Sequence, residues 1–188
     1  MNKKIKIEQL RSDLRQEFDR SLGGRIERYL QVEPHQITAW THFAQPSAEA
    51  TLLFRDGHFY GCVALCQAVV ESLVKFMCLK NSWKPSNNYE ENVEKLRNRN
   101  FISENLQLDL KEIWKNRDDY HHLNPSISTD QTFLEELAKG KAKLLVKIEA
   151  EIFYFSHSND GAFIFKYPQY WKKSEEDTHV QAFLKIRP

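Results

Sequence analysis

Residues 58 to 81 constrain the fold more than any other stretch of the chain. Val63, Leu65, Cys66, Val69, Val70, Leu73, Phe76 and Met77 cover most of the circumference of a helix there. Only Gln67, Glu71 and Lys75, four residues apart, form a polar stripe. A helix that is apolar nearly all round must be surrounded, so it is the central helix of a bundle. The flanking segments supply amphipathic partners. Residues 5 to 30 set Ile7, Leu10, Leu14, Phe18, Leu22, Ile26 and Tyr29 three and four apart, a stripe that Gly23-Gly24 would break or bend. Residues 35 to 57 read as an irregular link and then a helix that starts near Pro46-Ser47 and stops at Gly57. A short surface helix follows over 89–99, anchored by Val93 and Leu96. Another spans 104–122, with Leu106, Leu110 and Ile113 on one stripe. The last runs over 130–155 and buries Leu134, Leu137, Leu144, Leu145, Ile148, Ile152 and Phe155.

The expected fold class is therefore all-α, an up-and-down helical bundle. Residues 1–34 form an N-terminal helical extension, 35–156 the bundle and 157–188 a short C-terminal tail. Within the tail, residues 163–171 read as a short strand or as an extended aromatic segment packed on the bundle. A net charge of +1 over 188 residues provides no global field, so any RNA-binding surface must be local or built by oligomerisation. Lys3, Lys4 and Lys6 are followed by no apolar region, so no signal peptide is expected. No apolar run is expected to span a bilayer, and no membrane partner follows. Cys62, Cys66 and Cys78, odd in number and all in the apolar segment, predict buried thiols in a reducing cytoplasm.

The chemically pointed stretch is Arg117-Asp118-Asp119-Tyr120-His121-His122, just before Asn124-Pro125. Arg117 lies four, seven and eleven residues after Ile113, Leu110 and Leu106, which continues the apolar stripe of an unbroken helix. His121 falls on the same face, whereas His122 is about 140° away on an ideal helix. Pro125 ends the helix near residue 122 or 123, and unwinding there would swing His122 toward Arg117. Imidazole serves as general acid or base, and a guanidinium stabilises a pentacoordinate phosphorane. Asp118 would orient either group. The plainer reading is a helix end whose Arg snorkels to water and whose histidines favour the dipole.

Glu71 with Lys75 reads as a surface ion pair, or as a supporting group of the same cluster. Cys62-x-x-x-Cys66 has no further ligand nearby, and no Asp/Glu cluster suits magnesium, so neither metal nor cofactor is expected. The Gly-rich phosphate loop, the zinc-protease motif and G-x-S-x-G are all missing. His35, His42, His58, His157 and His179 read as surface residues. The tail aromatics with Lys166, Lys172 and Lys173 either stack bases or simply pack.

Arg117, a polar Asp118, three further residues and His122 resemble the R-x4-6-H motif of HEPN domains, helical bundles of prokaryotic defence and toxin–antitoxin systems. Asp56-Gly57-His58, leading into the helix of Cys62 to Lys75 with Glu71, looks like that family's central helix. The helix ending Ile152-Phe153-Tyr154-Phe155 is similar to its last. The likeness covers roughly residues 50 to 156. It implies a metal-independent endoribonuclease, a toxin or phage-defence effector, with its site at a two-fold homodimer interface. Arg117 and His122 would be the catalytic pair, with Asp118 beside them where relatives often carry Asn. His121 and Glu71 are secondary candidates. RNA would be the substrate, and an antitoxin or nucleotidyltransferase the partner. Two rival readings stand beside it: a non-catalytic dimerisation or partner-binding module, and a regulatory domain that senses a nucleotide through the Arg-His cluster.

Overall fold

The computed structural model describes residues 3–122, 124–125 and 127–185, so the expected helix boundary at Leu123 lies outside the described residues. The chain runs through α1 (Lys3–Gln31), β1 (Ile37–Ala39), α2 (Ala44–Asp56), α3 (Phe59–Lys80), α4 (Tyr89–Asn98) and α5 (Glu104–Trp114). It continues through α6 (Arg117–His121), α7 (Gln131–Ile152), β2 (Phe155–His157), β3 (Phe163–Phe165), a 3-10 turn at Pro168–Tyr170 and β4 (Ala182–Leu184). The architecture is the expected all-α bundle. Helix α3 lies at its centre, packed by α2, α4, α5, α6 and α7. Its Cys62, Cys66, Val70, Leu73, Val74 and Met77 are fully buried. Each such aliphatic side chain contributes about 1.5–3 kcal/mol by leaving water. One expectation needs correcting here, because α3 is long and apolar enough to cross a membrane by length and composition. It is covered by its neighbours instead.

Local signals fix most of the boundaries. Gly57 ends α2 at φ 86°, and the His58 amide bonds the Leu53 carbonyl at 2.8 Å, closing a left-handed cap. Asn88, Ser103 and Asp130 each accept a backbone N–H three residues on and so start α4, α5 and α7. Helix α1 continues through Gly23-Gly24, where a break or a bend was expected. Glycine weakens a helix interior by about 1 kcal/mol but does not terminate it. No residue of α1 is buried.

The predicted helix over 104–122 is two helices. Lys115 ends α5, and Asn116 takes a left-handed conformation at φ 61°. The amide of Gln67 donates to the carbonyls of Ile113 (3.2 Å) and Lys115 (3.0 Å). The ammonium of Lys141 donates to those of Glu112 (2.8 Å) and Lys115 (3.2 Å). Two buried side chains thus satisfy the carbonyls that a helix end leaves open. Gln67 accordingly lies inside the protein rather than on a solvated polar stripe.

The C-terminal segment is part of the core rather than an appendage. β4 pairs antiparallel with β1 in the register Ile37 to Leu184, and β2 pairs with β3. Tyr170 and Trp171 are buried against the bundle.

Candidate functional site

Because α5 stops at Trp114, Arg117 does not continue its apolar stripe. It opens α6, which runs back along α3 and is tied to it by the Tyr60 hydroxyl donating to the Tyr120 carbonyl at 2.8 Å. The Arg117 guanidinium sits 5.2 Å above the Trp114 ring, and that ring stacks on Tyr89 at 4.0 Å. An Arg over an indole is held by its face as well as by its charge. Nη1 of Arg117 donates to Oδ1 of Asp118 at 3.1 Å. The same Oδ1 lies 4.0 Å from Nε2 of His122. Arg117 is half-buried, while Asp118 and His122 are open to solvent. Arg117, Asp118 and His122 therefore meet at one exposed edge, with Asp118 between the other two. Asp118 and His122 stand four residues apart, with His122 the non-helical residue that caps α6.

His121 turns the other way. It hydrogen-bonds the Ala64 backbone, and burial, then the Arg117 charge, lower its pKa from the ordinary imidazole value. The Glu71 carboxylate opposes that shift, so Glu71 lies within electrostatic reach of His121 while bonding Lys75 at 2.7 Å. Nε of Arg117, Nε2 of His121 and Oε1 of Gln67 are buried without a hydrogen-bond partner. Unsatisfied buried polar atoms are uncommon in folded proteins, and these three belong to α6 and to the facing stretch of α3. The arrangement offers a cation, an imidazole open to solvent and a second imidazole whose pKa burial lowers. Among the described residues no three His, Cys, Asp or Glu side chains converge to hold a metal ion. The Cys62 and Cys66 sulfurs lie 4.0 Å apart, fully buried, and their mutual hydrogen bond and burial push the Cys66 thiol well up, which makes it inert.

A second polar cluster lies between α2, α7 and the residue after β4. Lys185 bonds Oε2 of Glu149 and, at 2.6 Å, the Ser47 hydroxyl, which itself donates to Oε1 of Glu149 at 2.5 Å. All three are buried. His35 faces them; burial lowers its pKa, with the Glu149 charge opposing and that of Lys185 assisting. It is half-buried rather than the surface residue expected, whereas His42, His58, His157 and His179 are exposed.

His35 and His121 make stability depend on acidity. Both have folded pKa values below the unfolded value of about 6.5. Between the two values the unfolded chain holds more protons, so their contribution is complete above pH 6.5 or so and is lost as the pH falls below it. The melting temperature is expected to drop between pH 7.5 and 5.5, and less steeply in His35→Gln with His121→Gln. An unchanged slope in that double variant would show that other groups govern the transition. Comparison with protein-family models, curated proteins and solved structures finds no match for this chain.

Proposed function

We propose that this chain is a metal-independent endoribonuclease of the HEPN type, a toxin or phage-defence effector acting in the cytoplasm. One observation carries the reading: Arg117, Asp118 and His122 gather at an exposed edge on α6 and the residue that caps it. Two copies would face each other through α6 across a two-fold axis, doubling the cations around one phosphate. In the proposed step the RNA 2′-hydroxyl gives up its proton and its oxygen bonds the adjacent phosphorus. The bond to the 5′-oxygen breaks, and that oxygen takes a proton. His122 carries the proton transfer, and Arg117 stabilises the charge of the phosphorane. An antitoxin or nucleotidyltransferase would restrain the activity.

The bond from Arg117 to Asp118 favours a second reading, a non-catalytic partner-binding module, because a carboxylate already occupies the guanidinium. End-group analysis separates the two. Cleavage is expected to persist in EDTA, to leave a 2′,3′-cyclic phosphate and a 5′-hydroxyl, and to spare DNA, which lacks the nucleophile. Products with a 5′-phosphate, or a strict need for added magnesium, would sink the mechanism even if the protein cuts RNA.

A further inference from the structure

Helix α1 holds its apolar stripe in water. Ile7, Leu10, Leu14 and Phe18 leave 45–57 % of their surfaces exposed. The polar anchors that fasten α1 fall near its C-terminal end. Arg25 pairs with Asp56 at 2.8 Å, Arg28 donates to the Arg55 carbonyl at 2.9 Å, and Arg55 lies over the Tyr29 ring. The first five turns or so project beyond these anchors. A lone helix in water is marginal at best, because most helical stability in proteins comes from packing an amphipathic face. An exposed apolar stripe of several hundred Å² marks an interaction site.

We infer that this stripe pairs antiparallel with the α1 stripe of a second copy of this chain. Charge selects that occupant. On an ideal helix at 100° per residue, Glu8 and Arg15 fall on one flank of the stripe and Lys6 and Glu17 on the other. An antiparallel two-fold pair brings like flanks together. Centred between residues 11 and 12, it sets Glu8 opposite Arg15 of the partner subunit and Lys6 opposite Glu17 of the partner subunit. Two-fold symmetry repeats both contacts, and all carry opposite signs. A parallel pair would instead set Glu8 near Asp13 of the partner subunit, a like-charge contact of the kind that governs coiled-coil orientation. Arg11 falls beside the two-fold, where its 2.9 Å bond to Glu8 offsets the like charge opposite. Area agrees. Ile7, Leu10, Leu14 and Phe18, each roughly half exposed, offer on the order of 350 Å² per copy, to which the aliphatic stems of Arg11 and Arg15 add. That suits the low end of specific interfaces, below the ~800 Å² per partner of a standard one. A lipid surface fits less well, because Glu8, Asp13, Glu17 and Asp19 interrupt the basic residues that anionic headgroups would attract.

This interface is separate from the α6 contact. In the antiparallel register the two anchored ends lie about 40 Å apart at 1.5 Å per residue, which holds the two bundles away from each other. Light scattering on the full chain tests the pairing. Leu10→Glu with Leu14→Glu is expected to halve the mass of the wild type and to leave the bundle folded by near-ultraviolet circular dichroism. Orientation is read by crosslinking, with the native cysteines buried and silent. Arg11→Cys is expected to oxidise to a covalent dimer and Leu22→Cys not to. An unchanged mass in the double glutamate variant overturns the inference. So does equal crosslinking of both cysteine variants, which means parallel helices. A monomeric wild type that floats with phosphatidylserine vesicles also overturns it, and assigns the stripe to a membrane surface.

Discussion

Arg117→Ala is expected to lower RNA cleavage by at least about 100-fold, the usual loss when one charge-stabilising donor is removed from a transition state. His122→Ala should cost about as much or more, since a positioned acid–base group contributes roughly 10²–10⁴-fold. Neither variant should unfold the protein. The ion pair of Arg117 is to Asp118, whose side chain is 83 % exposed, and a pair so open to solvent contributes about 0–1 kcal/mol. Its stacking on Trp114 adds roughly 0.5–1 kcal/mol. Losing both would lower the melting temperature by only a few degrees in a domain of this size, at about 2–4 °C per kcal/mol. Removing Arg117 also removes a buried Nε that has no partner, which works the other way. Asp118→Asn is the companion variant. It frees the guanidinium from a carboxylate and should bind RNA more tightly than the wild type. Wild-type cleavage in both Arg117→Ala and His122→Ala, or loss that tracks unfolding, would leave the edge structural and favour the binding-module reading.

How much of this was legible in the sequence depends on the range over which each signal acts. Helix α3 was legible because its apolar residues recur with the helical period and nothing polar interrupts more than one narrow line. The C-terminus of α2 was legible because Gly57 takes the left-handed conformation that ends a helix. The break at Asn116 was not. Asn enters that conformation at modest cost, and the carbonyls it releases are captured by Gln67 and Lys141, far away in the chain. The captors themselves carried a readable signal. Lys141 lies seven residues from both Leu134 and Ile148, and Glu149 four after Leu145, so each is a charged group on the buried face of its helix. A buried charge demands a partner, but periodicity does not say which. Arg117 and His122 were legible as residue types at a recognisable spacing. The route by which they meet, through Asp118 on a separate short helix, was not.

Lys185 gave no local signal at all, and its substitution should have the largest effect on stability. Its burial follows from the pairing of β4 with β1, a contact between opposite ends of the chain. Its side chain is 3 % exposed and that of Glu149 is fully buried. Lys185→Met would leave the Glu149 carboxylate inside the protein with only the Ser47 hydroxyl as a partner. Breaking a buried pair from one side costs about 3–5 kcal/mol, a large share of the roughly 5–15 kcal/mol that holds a domain folded. The melting temperature should fall by about 10 °C. The pair itself need not be worth that much, because desolvation of the two charges offsets most of their attraction. Lys185→Met combined with Glu149→Leu should therefore recover most of the loss, with a coupling of about 2 kcal/mol in a double-mutant cycle. Urea unfolding of the four proteins measures it. A loss below about 1 kcal/mol in Lys185→Met, or strict additivity in the double variant, would mean that water reaches Glu149. The C-terminal strand would then be held by its backbone pairing with β1 alone.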